Sequence, residues 1–331
     1  MLLYNGLDQL ARVRHNVVLT HRESKLYTDS LDYDRLYELG YFFEGGRLVD
    51  KDNVLTSDWG QYSPPTRQAV FNYNVKLENP KFTLISDTLN YNTQTSMAEI
   101  VGPSNIDSGD NHIYSESGFY NTQTEEAILL DRSIVTNKGR KMVGDSLYYD
   151  SKSGVGEGFR NVVYTDEVNK NMLTGNYCYY NDSTGYSMAT DSAVAIDYSQ
   201  RDTMYMHADT FKVYTFYMDT DSMYREVRGY HKVRSYRMDV QSVCDSLVFD
   251  SRDTCITMYR DPIVWNGGQQ VLGEVIKVYL NDSTIDRIHV IDQTLSVERI
   301  DSVHYNQVAG KEMISYFRDG EMYETWVNGN V

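Results

Sequence analysis

The chain has 331 residues, of which 41% are hydrophobic and 13% aromatic, and tyrosine dominates the aromatics with 29 Tyr against 10 Phe and 3 Trp. A net charge of −16 excludes a phosphate-neutralising nucleic-acid surface and opposes adsorption on an anionic membrane. Three cysteines without a CxxC pair exclude a disulfide framework, and no run of apolar residues is long enough for a membrane-crossing helix.

The chain opens on Leu2-Leu3-Tyr4-Asn5, with no basic start and no apolar core of a signal peptide. The same pattern returns at Leu31-Asp32-Tyr33-Asp34, preceded by Asp29, so the repeat register already runs through the first residues. This predicts a segment cut from a longer chain. Further copies read Asp87-Thr88-Leu89-Asn90-Tyr91-Asn92, Asp145-Ser146-Leu147-Tyr148-Tyr149-Asp150 and Asp245-Ser246-Leu247-Val248-Phe249-Asp250. Tyr4, Tyr33, Tyr62, Tyr91, Tyr120 and Tyr149 follow one another at intervals of 29 residues. Beyond Tyr149 the interval loosens, through Tyr180, Val213, Phe249 and Val278. Insertions at loop tips lengthen a copy without breaking a stack.

Each copy alternates apolar and polar residues, which predicts strands with one buried face. Half-buried, half-wet strands suit tyrosine, whose ring packs while its hydroxyl seeks a polar partner. A polar turn follows the aromatic anchor, as in Asn92-Thr93-Gln94-Thr95, Asn121-Thr122-Gln123-Thr124, Asn181 to Gly185 and Asn281-Asp282-Ser283-Thr284. A second strand then reaches a corner, as at Gly102-Pro103-Ser104-Asn105-Ile106 and Gly158-Phe159-Arg160-Asn161-Val162, and a third short strand leads on. No segment shows a helical period, so each copy is read as one β-rung, stacked on the next at about 4.8 Å. Such rungs share their core with neighbours and leave unpaired strand edges at the ends.

These recurring copies resemble the OstA-like repeat of the lipopolysaccharide-transport proteins, found in LptA, LptC and the N-terminal domain of LptD. The resemblance rests on the copy from Asp145 through Gly154 and Gly158 to Tyr164, on Asn16-Val17-Val18-Leu19, and on the end of the chain. That end reads Tyr305, Gly310, Tyr316-Phe317, Asp319-Gly320 and Gly329-Asn330-Val331. The acidic, tyrosine-rich style is similar to Bacteroides-type members.

The resemblance implies an all-β fold, a stacked-rung β-jellyroll or "β-taco" of V-shaped antiparallel sheets. It implies one continuous array over 1–331, with a possible subdivision near 215–240. It also implies a periplasmic, non-enzymatic protein that binds and transports lipopolysaccharide between the inner and outer membranes. Its partners would be lipopolysaccharide acyl chains, and other Lpt-type proteins or further copies joined end to end by strand pairing. The inward groove residues would be Leu31, Tyr33, Leu89, Tyr91, Leu147, Tyr149, Val162, Phe211, Val213, Leu247, Phe249, Ile276 and Val278. Each methylene moved from water to such a groove contributes about 0.8 kcal/mol. A few acyl chains therefore outweigh head-group repulsion that salt screens within about 8 Å.

Two other readings compete. A filled interior would make the chain a structural solenoid or adhesin. A β-helix enzyme acting on polysaccharide would carry two carboxylates on its surface. Against the second, Asp107 to His112 lacks the spacing of a calcium loop, Gly154-Val155-Gly156-Glu157-Gly158 opens no helix, and the seven histidines have no metal-ligand spacing. No cofactor or metal is expected. Arg225, Arg228, Lys232, Arg234 and Arg237 form the one basic concentration, read as a solvated strand face rather than a head-group contact. Cys244 and Cys255 are near enough in sequence to pair across a hairpin, but buried free thiols are the expected state.

Overall fold

The computed structural model describes residues 1–199, 202–218, 220–238, 240–281, 284–318 and 321–329. The quoted residues Asp282, Ser283, Asp319, Gly320, Asn330 and Val331 lie outside them. Among the described residues the secondary structure is all strand, twenty-six of them, with no helix. The pairings given below are antiparallel throughout. The fold is the all-β stacked-rung jellyroll. Two compact units divide the chain, Met1–Phe159 and Arg160–Val331.

In the first unit the unit of construction is a long strand bent in the middle. Gln68–Asn79 pairs with Phe82–Asn92, and that strand pairs with Met97–Ser108. Asn111–Asn121, Glu126–Asn137 and Arg140–Asp150 continue the ladder. Each of these long strands runs out along one limb, turns a corner and continues along a second. Residues 75–79 and 82–86 belong to the limb called A; 68–72 and 88–92 belong to limb B. The expected second and third strands of each copy are thus a single strand, and one copy adds two strands, about 9.5 Å of stack.

The corner is a repeated bulge. Asn72 pairs with Thr88 and Val75 with Ser86, so Tyr73 and Asn74 together face Asp87 alone. Both have positive φ, 64° and 52°. Paired positive φ values recur at His15-Asn16 and Asp131-Arg132, and in the second unit at Arg160-Asn161, Asp191-Ser192, His231-Lys232, Arg260-Asp261 and Asp292-Gln293. Bulges of this kind bend a strand and shift its alternation by one residue. That shift keeps the apolar residues of both limbs on the inner face.

The acidic residue of the repeat belongs to this corner. Asp29 Oδ1 accepts from the Asn16 backbone N–H at 2.9 Å, Asp58 Oδ2 from Asn74 Nδ2 at 2.6 Å, and Asp145 Oδ1 from Arg132 Nη1 at 3.1 Å. Buried serines next to it take up carbonyls that the bulge leaves without ladder partners. Ser57, Ser86 and Ser115 donate to the carbonyls of Trp59, Thr88 and Ser117 at 2.7–2.8 Å. The turns at the limb tips behave as their composition predicts. Asn92 Oδ1 accepts from the N–H groups of Gln94 and Thr95, and Asn121 Oδ1 from those of Gln123 and Thr124.

Candidate functional site

The site to be judged is the inner face of the rungs. In the first unit the two limbs lie face to face and their side chains fill the space between them. Phe42, Leu48, Leu55, Phe71, Leu77, Leu84, Leu89 and Ile100 are fully buried. A Cβ at Gly46 or Gly60 would enter the Phe42 ring, so these positions accept no side chain without displacing it. Leu31, Leu89, Tyr91, Leu147 and Tyr149 all point into this core and are buried; Tyr33, near the first strands, is half-buried.

The mouth of this unit is closed by polar contacts between opposite limbs. Asp50 and Asn53 sit at the tip of limb A, where Gly46–Asp50 turns into Asn53–Ser57. Tyr91 comes from limb B. Its hydroxyl donates to Asp50 Oδ2 at 2.9 Å and accepts from Asn53 Nδ2 at 2.9 Å. The same amide reaches Thr122 Oγ1 on limb B at 3.0 Å, and Thr122 donates to the Ser96 carbonyl at 3.1 Å. Ser24 Oγ donates to Asp50 Oδ1 at 2.7 Å, and Asn79 Nδ2 to Asn53 Oδ1 at 2.9 Å. Tyr62 extends the clasp to His21, 3.0 Å from its hydroxyl. On the other side Phe82 and Tyr120 seal the mouth with an edge-to-face ring contact, centroids 4.8 Å apart.

Asp50 is 2% exposed and Tyr91 fully buried. Burial and, next, the Asp50 carboxyl push the Tyr91 hydroxyl up from 10.0 to about 12. Burial likewise raises Tyr120. The hydroxyl of the repeated tyrosine is therefore a closing element. Asp50 and Asn53, which flank the Lys51-Asp52 turn, are its partners, and sequence reasoning did not single them out.

The second unit differs. Asn171–Asn181, Tyr186–Asp197, Met204–Phe216, Tyr224–Tyr236 and Val240–Asp250 are a run of its long strands, paired in that order. Here the inner face is buried mainly beside the corner, by Cys178, Ala189, Ala193, Ala208, Phe211, Gly229, Val233 and Leu247. Away from the corner it is half-exposed on both limbs: Leu173, Ala195 and Met206 on one, Tyr180, Val213, Val227 and Phe249 on the other. Val213 pairs with Ser187 and Val227, and Val227 with Phe249, so these side chains make one continuous lining. The interior closes again towards Val275–Asn281, where Ile276, Val278, Ile288, Val290 and Met313 are buried. Val162 is buried at its corner.

The other sequence features lie elsewhere. Arg228 is on the outer face, ion-paired with Glu226 and 5.2 Å over the Tyr214 ring. Arg234 and Lys232 are exposed, and the basic residues do not converge on the inner face. Cys178, Cys244 and Cys255 are buried free thiols; Cys244 pairs with Val233 and Cys255 with Asp250 and Tyr279. Among the described residues no cluster of His, Cys, Asp or Glu is arranged to hold a metal.

Bent antiparallel strands sharing an apolar inner face define a repeat protein of the jellyroll class. The family model of the OstA-like proteins matches residues 1–87 and, in a second copy, 82–145. Over that stretch the chain is similar to the OstA-like proteins. None of the curated proteins matches the chain. Among solved structures it is similar to LptH, the LptA homologous periplasmic component of the conserved lipopolysaccharide transport device from Pseudomonas aeruginosa. The identity is 16%, over 37% of this chain and 82% of that one, with a TM-score of 0.30.

Proposed function

We propose that this protein binds and transports lipopolysaccharide in the periplasm, bridging the two membranes, with the acyl chains held against the inner face of the rungs. The observation that carries the reading is the half-exposed apolar lining of the second unit, through Leu173, Tyr180, Met206, Val213, Val227 and Phe249. The OstA-like match of residues 1–145 supports it independently. Val162, Phe211, Leu247, Ile276 and Val278 form the floor and flanks of this path. In the first unit, taken by itself, Leu31, Tyr33, Leu89, Tyr91, Leu147 and Tyr149 are the corresponding inward residues, reached once that unit opens. The role is carriage, not catalysis. Near-equivalent rungs give near-equivalent sites, so no position holds the lipid too firmly to pass it on.

The partners at either end are other Lpt-type proteins or further copies. Among the described residues Leu2–Asn5 pairs only with Leu10–His21 and Glu321–Asn328 only with Tyr305–Arg318, which leaves strand edges to extend the ladder. The test is equilibrium binding of lipopolysaccharide to the purified chain and to Val213→Arg and Phe249→Arg variants. The reading expects saturable binding that both substitutions weaken at least tenfold. Absence of saturable binding by the parent chain would remove it.

A further inference from the structure

The clasp of the first unit is an unusual way to close a core. Around it the interior is apolar: Leu48, Leu55, Leu77, Leu84 and Leu89 are each 1% exposed or less. The adjoining position is sealed by Phe82 and Tyr120. At the clasp the seal consists instead of a carboxyl, two amides and hydroxyls, all at limb tips. Asp50 forms no ion pair among the described residues. A buried polar network of this kind specifies a geometry more than it adds stability. It also separates differently from an apolar contact. When the limbs part, each of its groups regains hydrogen bonds from water, so little is lost. The backbone ladders run along the limbs and remain intact.

We propose that Asp50, Asn53, Tyr91 and Thr122 form a gate that opens the first unit to admit an acyl chain onto Leu55, Leu77 and Leu84. This regulates the path described above and rests on that reading for the identity of the lipid. The hinge is the row of corners, where His15-Asn16 and Tyr73-Asn74 already hold positive φ and no ladder bond joins the limbs.

The test uses the full chain with Cys178, Cys244 and Cys255 replaced by alanine and Leu77→Cys as reporter. N-ethylmaleimide labelling is followed below the urea transition, and again with Leu129→Cys, which lies away from the clasp. A gate gives labelling of Leu77→Cys with a shallower urea dependence than that of global unfolding, because parting the limbs exposes only the lining between them. Tyr91→Phe accelerates it at least about tenfold, through loss of the two buried hydrogen bonds of its hydroxyl. An oxidised Asn53→Cys/Thr122→Cys bridge stops it, and its formation also reports that the variant is folded. Labelling at Leu77→Cys and Leu129→Cys with the same steep urea dependence would mean access by global unfolding only and would overturn the gate. In the same protein, a photo-cross-linker at Val213 is tested against lipopolysaccharide. Cross-linking there without gated labelling removes the gate and leaves the transport reading; gated labelling without cross-linking does the reverse.

Discussion

The hydroxyl of Tyr91 donates to Oδ2 of Asp50 at 2.9 Å, joining residues 88–92 on limb B to Gly46–Asp50 on limb A across a filled interior. The contact ties the 29-residue tyrosine ladder to the state of the groove. Where the hydroxyl finds a partner on the opposite limb the rungs are closed. In the second unit the lining away from the corner stays half-exposed, as at Val213 and Phe249.

Tyr91→Phe keeps the ring and removes the donor, leaving Asp50 and Asn53 each short of one partner. It should lower the stability of the first unit by about 1–3 kcal/mol. Asp50→Ala should cost a similar amount, and the double variant less than the sum, because both act on one network. Urea denaturation of the four proteins measures the coupling; strict additivity would mean the two side chains do not cooperate.

Alkaline pH should release the clasp. The Tyr91 hydroxyl titrates at about 12 in the folded chain against 10.0 in the unfolded one. Its contribution is therefore complete below pH 10 and is lost as pH rises towards 12, at up to about 1.4 kcal/mol per pH unit. Parent and Tyr91→Phe should converge in stability over that interval. A parallel decline in both would place the alkaline weakness elsewhere.

The corners should discriminate sharply between side chains. Asn74 has φ 52°, a region that glycine and asparagine tolerate and β-branched residues do not. Asn74→Gly should be within about 0.5 kcal/mol of the parent, whereas Asn74→Val should cost about 1–2 kcal/mol. Asp145→Ala, which removes the acceptor of Arg132, should have an effect below about 1 kcal/mol because that ion pair is exposed. Thermal unfolding ranks the three.

Burial pushes the thiols of Cys178 and Cys244 up to about 12. Iodoacetamide at pH 8 should leave both unmodified in the folded chain and modify both in denaturant. Mass spectrometry of the digest reads the result. Rapid alkylation of native Cys178 would contradict its place on the floor of the inner face.

Much of this architecture was legible in the residues. Leu89 and Tyr91, or Leu147 and Tyr149, show the period-two face directly, and the fixed spacing of the tyrosines shows that neighbours supply the core. Asn92 and Asn121 announce their turns because an Asn side chain can take the place of a backbone acceptor. The bent strand was hidden. At Val101 to Ser104 the bulge moves the alternation by one residue, so Met97–Ser108 reads as two strands separated by a corner. The acid at Asp29 or Asp145 holds a corner on the adjoining strand, a partner that the local sequence does not announce. Whether the interior is open or filled depends on side chains that meet from opposite limbs, such as Phe82 and Tyr120, and no local pattern encodes that meeting.

The central claim is that the inner face of the second unit is a lipid path. Photo-cross-linking to lipopolysaccharide from position 213, compared with its neighbour at 212, tests it most directly. Val213 faces the lining and Lys212 the outer surface, where its ammonium lies 5.6 Å from the Tyr230 ring. The account predicts a lipopolysaccharide adduct from 213 and none from 212. Equal adducts from both positions, or none from 213, would contradict it.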